Sequence, residues 1–152
     1  MVAKKHKSAD PEWINSSDQE IDLDTQEGFI YLITNQLTGM QYIGRKYFWK
    51  RLRKKVPGKV RRKRVTEESD WKTYWGSCAP LHLDYFSLGI GNFKREILSI
   101  QSCRSDVCYE EVAEQFKHDV LRAKNKEGMY LYYNSNIANK YFRKIDKGYV
   151  DE

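Results

Sequence analysis

The stretch FIYLITNQLTGMQYIGR, residues 29–45, decides the fold of this chain. Two short runs of branched and aromatic residues, FIYLI and QYIG, flank the turn-rich segment NQLTG. Branched and aromatic side chains favour extended backbone, and Asn35 and Gly39 can adopt the positive φ that a hairpin turn needs. The stretch therefore predicts a β-hairpin with one tyrosine in each strand, Tyr31 and Tyr42. On this evidence alone, both tyrosines are core aromatics with a solvated hydroxyl.

The composition predicts one globular domain. The chain has 152 residues, of which 40% are hydrophobic and 14% aromatic. No apolar run approaches the roughly 20 residues that a membrane span needs, and the N-terminal residues lack the apolar segment of a secretion signal. Three unevenly spaced cysteines without a CxxC pair indicate free thiols rather than a zinc site or a disulfide frame. We therefore expect a cytoplasmic protein that does not bind membranes.

The positive charge is concentrated in one segment. Residues 45–64 contain 12 Lys or Arg and no acid, and the remaining 15 basic and 21 acidic residues give the rest of the chain a net charge of −6. Such a segment is suited to bind a polyanion locally, although docking to an acidic protein is an alternative. The residues predicted to contact nucleic acid are Lys46, Lys50, Arg51, Lys54, Lys55, Lys59, Arg61, Arg62, Lys63 and Arg64.

Periodicity and capping signals predict the other elements. A helix is expected to begin at Lys46 and end near Lys55, before Pro57, and residues 59–64 are expected to form an exposed loop. A short helix over residues 69–75, a helix over 79–88, a strand over 93–100 and a long helix over 106–124 follow. The apolar stripe of the long helix is predicted to be Tyr109, Val112, Ala113, Phe116 and Val120.

Together these elements predict an α+β fold in which helices cover a small, three-stranded, mainly antiparallel sheet. Residues 1–26 are predicted to be a loosely ordered polar arm, although Trp13 and Ile14 could pack on the domain. Residues 27–139 are predicted to form the domain, with the basic insert at 45–64. Residues 140–152 are predicted to form a short tail.

The hairpin stretch also resembles the signature of the GIY-YIG nuclease family. The IY at residues 30–31 matches the end of the first triplet, and the YIG at residues 42–44 matches the whole second triplet. The spacing of the two tyrosines is the family's usual one. Phe29 replaces the glycine of the first triplet, and Gly28 is displaced by one position.

Two further segments extend the resemblance to residues 28–137. SDWKTYWGSC followed by GNFKREIL is similar to the phage-type branch, in which a run of Trp, Tyr, Gly and Ser precedes an Asn-Phe strand. The resemblance implies the GIY-YIG fold and a metal-dependent endonuclease that hydrolyses phosphodiester bonds of duplex DNA. It also implies a phage or mobile-element origin, as in homing endonucleases, and activity in the cytoplasm of a host cell.

The resemblance further implies a set of site residues. A free phenol titrates near 10 and needs nearby positive charge to act as a base. The family favours Tyr31 as this base, with Tyr42 in the same site. Arg45 is the nearest phosphate-binding cation, and Arg53 or Arg51 is the expected phosphate clamp.

The metal ligand implied by the resemblance is Glu114, which would hold Mg²⁺ or another divalent ion such as Mn²⁺ with water and phosphate oxygens. Glu110 and Glu111 are rivals nearer the helix start, and a surface pair of Glu114 with Lys117 or His118 is the simpler interpretation. Asn134 matches the family asparagine, with Asn136 as second choice. The alternative function is a catalytically inactive or non-enzymatic basic nucleic-acid-binding protein.

Overall fold

A computed structural model describes residues 10–144 of the chain. The elements are β1 (Trp13–Asn15), β2 (Gly28–Asn35), β3 (Gln41–Tyr47), β4 (Trp49–Lys54), β5 (Lys63–Glu68), α1 (Ala79–Leu88), β6 (Phe93–Gln101), α2 (Arg104–Lys117), β7 (Asn136–Ile137) and β8 (Tyr141–Phe142). Short 3₁₀ turns lie at Trp71–Thr73 and Ile90–Asn92. The fold is α+β, and none of the described helices is long and apolar enough to cross a membrane.

The main sheet has four strands in the order β1-β6-β2-β3, rather than the three predicted. The predicted hairpin forms as β2 and β3, which pair antiparallel, and β6 pairs antiparallel with the other edge of β2. The tight pairing depends on Gly28, because a Cβ there would lie 2.6 Å from the carbonyl oxygen of Lys46. The glycine displaced by one position is therefore required by the close approach of β3.

The fourth strand comes from the arm that was predicted to be loosely ordered. β1 pairs parallel with β6, and a buried arginine, Arg95, holds the preceding chain in place. Its Nη2 donates to the carbonyl of Pro11 at 2.8 Å, and its Cζ lies 4.5 Å from the ring centroid of Trp13. These contacts join segments about 80 residues apart, so the local sequence did not predict the strand. Residues 1–9 of the arm and 145–152 of the tail lie outside the described residues.

The sheet separates two cores. On one face an aromatic core contains Phe29, Tyr31 and Ile33 of β2 and the residues Leu81 and Tyr85 of α1. On the other face a smaller aliphatic core joins β2 and β3 to α2 and to the segment that follows it. Strand β3 is the outer strand of the sheet, and Gln41 at its start is bridged to Tyr132. Side chains from both faces of the sheet reach this outer edge.

The basic segment forms a β-hairpin instead of the predicted helix and loop. β4 pairs antiparallel with β5 in a separate two-stranded sheet, and we call residues 49–68 the basic ribbon. Leu52 lies opposite Val65, and Lys54 forms an ion pair with Glu67. The helical prediction failed because it used residues 46–55 alone, whereas their strand partners lie nine or more residues further along the chain.

The long helix α2 is shorter than predicted and turned to a different face. It ends at Lys117, and Asp119 then adopts a left-handed conformation with φ of 51°. Tyr109 and Phe116, predicted to be core residues, are 71% and 52% exposed. The buried residues are Val107 and Gln115. The other long elements match the predictions closely: α1 covers Ala79–Leu88 and β6 covers Phe93–Gln101.

Candidate active site

A polar cavity of about 540 Å³ lies at the edge strand β3. Tyrosines reach it from the aromatic face of the sheet, whereas Arg45 and a glutamate of α2 reach it from the opposite face. Basic residues from the start of the ribbon close one side. The lining residues used below are Tyr31, Tyr42, Arg45, Lys46, Lys50, Arg51, Asp70, Tyr74, Ser77 and Glu111.

The two signature tyrosines lie side by side in this cavity. Tyr31 is opposite Gly44 in the hairpin register, and its ring centroid is 6.1 Å from that of Tyr42. The ring of Tyr31 occupies the space above Gly44, because a Cβ at position 44 would lie 2.5 Å from the phenol oxygen of Tyr31. The glycine of the second triplet thus makes room for the tyrosine of the first.

Both phenols are neutral in this site at neutral pH. Burial raises the pKa of Tyr31 well above 10, and the neighbouring phenols of Tyr42 and Tyr74 raise it further. Burial likewise raises the pKa of Tyr42, against the smaller opposing effect of the Arg45 guanidinium. In the free protein both side chains are therefore hydrogen-bond donors as well as acceptors.

Arg45 and Glu111 form the charged wall of the cavity. Nη1 of Arg45 is 2.5 Å from Oε1 of Glu111, and the carboxylate side chain is 13% exposed. Burial raises the pKa of Glu111 more than the Arg45 guanidinium lowers it. Burial lowers the pKa of Arg45, but the carboxylate more than offsets this, so the pKa of the arginine is raised. Glu111 has only this one hydrogen-bonding partner among residues 10–144, so its Oε2 is available to a ligand.

Glu111, and not Glu114, points into the cavity. At 3.6 residues per turn, Glu111 lies between Val107 and Gln115 at the centre of the buried face of α2. Glu114 lies at the edge of that face, where its Oε1 is 3.6 Å from Nε2 of His118. The structure thus gives Glu114 the surface pairing that was the simpler interpretation of its sequence position.

Asn134 does not line the cavity of the two tyrosines, but it holds the backbone of the adjacent strand β3. Its amide accepts a hydrogen bond from the backbone N–H of Ile43 at 3.1 Å and donates one to the carbonyl of the same residue at 2.8 Å. Gln115 donates to that carbonyl at 2.9 Å. Both amides are buried, and together they fix β3 between Tyr42 and Gly44. Asn134 also lines a second, adjoining cavity that shares Tyr42, Arg45 and Glu111 with the first.

The predicted cations divide into two groups. Lys46, Lys50 and Arg51 line the cavity, and the Nζ of Lys46 lies 2.7 Å from Oδ1 of Asp70 and 3.9 Å from the ring centroid of Tyr74. Arg53 does not line it. It borders a separate concavity at the far end of the ribbon. Of the two predicted clamp residues, only Arg51 is therefore brought to the tyrosines. The other predicted contact residues lie on the ribbon strands and at its exposed tip.

Sequence reasoning missed Tyr74 and Ser77 and ranked Glu111 below Glu114. Tyr74 packs edge-on against Tyr31, with their ring centroids 6.0 Å apart. Tyr74 and Ser77 lie in the run DWKTYWGSC, which was associated with the family but given no role. The useful signal for Glu111 was its spacing of four residues from both Val107 and Gln115, which places all three on one face of the helix. The hydrophobicity of each single residue does not contain this information.

The donor set fits a divalent ion that keeps most of its water. Among residues 10–144, no three His, Cys, Asp or Glu side chains gather in one place. One carboxylate with an available oxygen, beside hydroxyl groups and an open polar cavity, matches the sparse coordination by which proteins hold Mg²⁺ together with phosphate oxygens. The residue that would hold such an ion is Glu111.

Comparison with protein families identifies the class of protein. The family model described as "Putative endonuclease segE, GIY-YIG domain" matches residues 13–137, which include β1 and extend through β7. The chain therefore belongs to the GIY-YIG nuclease family, in its segE-type branch. Nucleases of this family generally use divalent metal ions. No curated protein sequence and no solved structure shows significant similarity to the chain.

Proposed function

We propose that this protein is a phage or mobile-element endonuclease that hydrolyses phosphodiester bonds of duplex DNA with Mg²⁺ or a similar divalent ion. One observation carries the proposal: Tyr31, Tyr42, Arg45 and Glu111 line one cavity at the edge of the sheet. A proton acceptor, a cation for the phosphate and a carboxylate for a metal are the groups that such hydrolysis needs. The free thiols Cys78, Cys103 and Cys108 are compatible with work in the reducing cytoplasm of a host cell.

The two tyrosines activate and orient the attacking water. The Tyr31 phenol first loses its proton to solvent. Water then forms a new bond to phosphorus while the bond to the leaving oxygen breaks, the water proton passes to the phenolate oxygen of Tyr31, and the leaving oxygen takes a proton from solvent. Tyr42 orients the reactants by hydrogen bonding from the same side of the sheet. Both phenols are protonated in the free protein, so Tyr31 accepts a proton only after positive charge has lowered its pKa.

Arg45 binds the phosphate directly, and Glu111 acts on it through a divalent ion. The guanidinium is positioned by the carboxylate and donates to the phosphate oxygens on which negative charge increases during the reaction. We propose Glu111 in the metal-binding role predicted for Glu114. A divalent ion there would supply the positive charge that lowers the phenol pKa and would polarise the phosphate. Asn134 is a positioning residue, since it acts through the backbone of Ile43.

A plasmid-cleavage assay with a matched pair of variants tests the proposal. Wild-type protein with Mg²⁺ should convert supercoiled plasmid to nicked or linear DNA. Glu111→Gln should slow cleavage by roughly 100-fold or more, because several kcal/mol of charge stabilisation are lost. Glu114→Gln, one turn away on the same helix, should cleave within about threefold of wild type. Tyr31→Phe should bind DNA but not cleave it.

The outcomes test the assignment of the metal ligand separately from the nuclease activity. If Glu114→Gln is inactive and Glu111→Gln is active, the metal ligand is Glu114 as first predicted. If wild-type protein retards DNA in a gel but leaves plasmid intact with both Mg²⁺ and Mn²⁺, the nuclease proposal fails. The protein is then the inactive nucleic-acid-binding protein that the sequence left as an alternative.

A further inference from the structure

The two faces of the basic ribbon differ in chemistry. Residues directly opposite in an antiparallel pair share a face, and faces alternate along each strand. One face therefore carries the pairs Trp49–Glu68, Arg51–Thr66 and Arg53–Arg64, and we call it the arginine face. The other face carries Lys50–Glu67, Leu52–Val65 and Lys54–Lys63, and we call it the lysine face.

Ion pairing differs between the outer ends of the two faces. Arg53 and Arg64 are exposed on one face, and Lys54 and Lys63 are exposed on the other, next to half-buried Leu52 and Val65. Each face carries one acid: Glu67 pairs with Lys54 on the lysine face, whereas Glu68 lies opposite Trp49 at the base of the arginine face. On the arginine face, Arg51 at the base pairs with Glu27 at 3.0 Å. Among residues 10–144, the outer end of the lysine face therefore has one ion pair, Lys54–Glu67, and the outer end of the arginine face has none.

The outer arginines form one concave cluster. Arg53 and Arg64 border a concavity of about 420 Å³ together with Arg61 and Arg62 from the ribbon tip. None of these four guanidinium groups has a carboxylate within 4.0 Å among residues 10–144. Like charges directly opposite on a sheet destabilise it, so the Arg53–Arg64 pair has a cost that an external anion would relieve.

The position of this cluster relates it to the cavity. Arg51, at the base of the arginine face, also lines the cavity that holds Tyr31 and Glu111. Each six-residue strand spans about 20 Å, which corresponds to roughly six phosphates of one DNA strand. The arginine face thus continues from the cavity along a length of backbone. Beyond its base this face carries only guanidinium groups and one threonine, with no Asn or Gln that would read base edges. The aromatic residue at its base, Trp49, donates its ring N–H to the carbonyl of Leu23 at 3.0 Å.

We propose that the outer part of the arginine face, Arg53 and Arg64 with Arg61 and Arg62 of the tip, binds the phosphate backbone of the DNA duplex beyond the cleaved bond, whereas the neighbouring pair Lys54–Lys63 does not contact the DNA. This inference rests on the proposed function, because it takes DNA as the substrate in the cavity. The cations of the ribbon then contribute unequally to the affinity for duplex DNA. The loss of affinity on substitution depends on which face the cation occupies and not on the net charge of the ribbon.

Binding to a fluorescent duplex in chelator, where no cleavage occurs, tests this directly. Arg53→Ala/Arg64→Ala and Lys54→Ala/Lys63→Ala remove two charges each, from adjacent cross-strand pairs. The arginine double variant should weaken binding about tenfold and reduce the slope of log K against log salt by about two. The lysine double variant should stay within about threefold, with an unchanged slope. Thermal unfolding of each variant verifies that the ribbon variants remain folded.

Further variants and sequences can overturn the inference. Equal losses for the two double variants would show that only net charge matters. Arg53→Lys/Arg64→Lys should retain most binding if the contacts are to phosphate, since lysine serves as a point charge there. A large loss with that variant, or weakening confined to certain DNA sequences, would indicate base reading and contradict phosphate binding.

These results are independent of cleavage. A protein that binds through the arginine face but cuts no plasmid keeps this inference and loses the proposed function. A protein that cuts plasmid and binds normally without its two outer arginines loses only this inference.

Discussion

We call Tyr31, β3 and the amides of Gln115 and Asn134 behind it the cavity floor. The cavity floor and the basic ribbon are adjacent along the chain, since β3 ends at Tyr47 and β4 begins at Trp49. In the floor, Tyr31 is 1% exposed and Asn134 is 2% exposed, and the Asn134 amide makes two hydrogen bonds to the backbone of Ile43. In the ribbon, Arg53 and Arg64 are exposed and face each other without a counter-charge in the described chain.

This difference corresponds to two physical tasks. Chemistry at one phosphate requires groups whose positions are fixed before the substrate arrives. In the floor these positions are fixed by burial of the side chains, by the close contact of Tyr31 with Gly44 and by the hydrogen bonds of the two buried side-chain amides. Binding a polyanion requires cations that remain hydrated and available until counterions are released. Substitutions in the floor should therefore change folding and cleavage together, whereas substitutions of the exposed ribbon arginines Arg53 and Arg64 should change binding alone.

The largest effect is expected for Gly44→Ala. The new methyl group would lie 2.5 Å from the phenol oxygen of Tyr31, so the buried ring would have to shift away from β3 and into the polar cavity that it lines. We expect destabilisation of about 1–3 kcal/mol and a loss of cleavage of roughly 100-fold. Plasmid cleavage and thermal unfolding measure both effects. Gly91→Ala is the control, because its methyl group would meet nothing within 4 Å and should change stability by less than about 0.5 kcal/mol.

Asn134→Ala should have the next largest effect. It leaves the backbone N–H of Ile43 without its amide partner, which costs about 1–3 kcal/mol for a buried group. Because the change acts through strand position, the turnover number should fall while duplex affinity in chelator is unchanged. Urea unfolding and single-turnover cleavage provide the measurements. Thr66→Ala on the ribbon should leave stability within about 0.5 kcal/mol, and an equal loss there would contradict the contrast between the regions.

The smallest effect concerns two glutamates with opposite pKa shifts. Burial raises the pKa of Glu111 above its ordinary 4.5, so folding becomes less favourable as pH rises through the interval between the two values. Glu111→Gln should therefore unfold at a slightly higher temperature than wild type at pH 7, and the difference should disappear below pH 4.5.

Glu67 on the ribbon should behave in the opposite way. Its hydrogen bond and ion pair with Lys54 lower the pKa of its carboxyl below 4.5. Its stabilising contribution is present above pH 4.5 and is lost as pH falls through the lowered value. Glu67→Gln should then be slightly less stable than wild type at pH 7 and equal to it in strong acid. Differential scanning calorimetry across pH measures both variants, and shifts of the same sign would contradict the assignment of these environments.

Several parts of the site could be predicted because they are encoded locally. The spacing of Tyr31 and Tyr42 across a turn is a property of one hairpin, and Gly39 adopts the positive φ of 81° expected there. The placement of Arg45 beside Tyr42 follows from their neighbouring positions on β3. Helix α1 was predicted correctly because its proline near the start and Gly89 after its end are adjacent signals.

The parts that could not be predicted depend on distant partners. Residues 46–55 have helical spacing, yet they pair with β5 because Leu52 and Lys54 find Val65 and Glu67 across the ribbon. The face of α2 was misjudged because Tyr109 and Phe116 are more hydrophobic than Glu111 and Gln115. The polar pair is buried nevertheless, since Arg45 and the carbonyl of Ile43 provide its partners.

The sequence alone predicts the hairpin, the spacing of its tyrosines, the membership of a nuclease family and the concentration of positive charge in one segment. The tertiary structure was needed to show which glutamate faces the tyrosines and which cation pair of the outer ribbon, Arg53–Arg64, has no counter-charge in the described chain. The physical reason is separation along the chain. Arg45 and Glu111 are 66 residues apart, so their contact depends on how α2 packs on β3 and on no pattern that either segment carries alone.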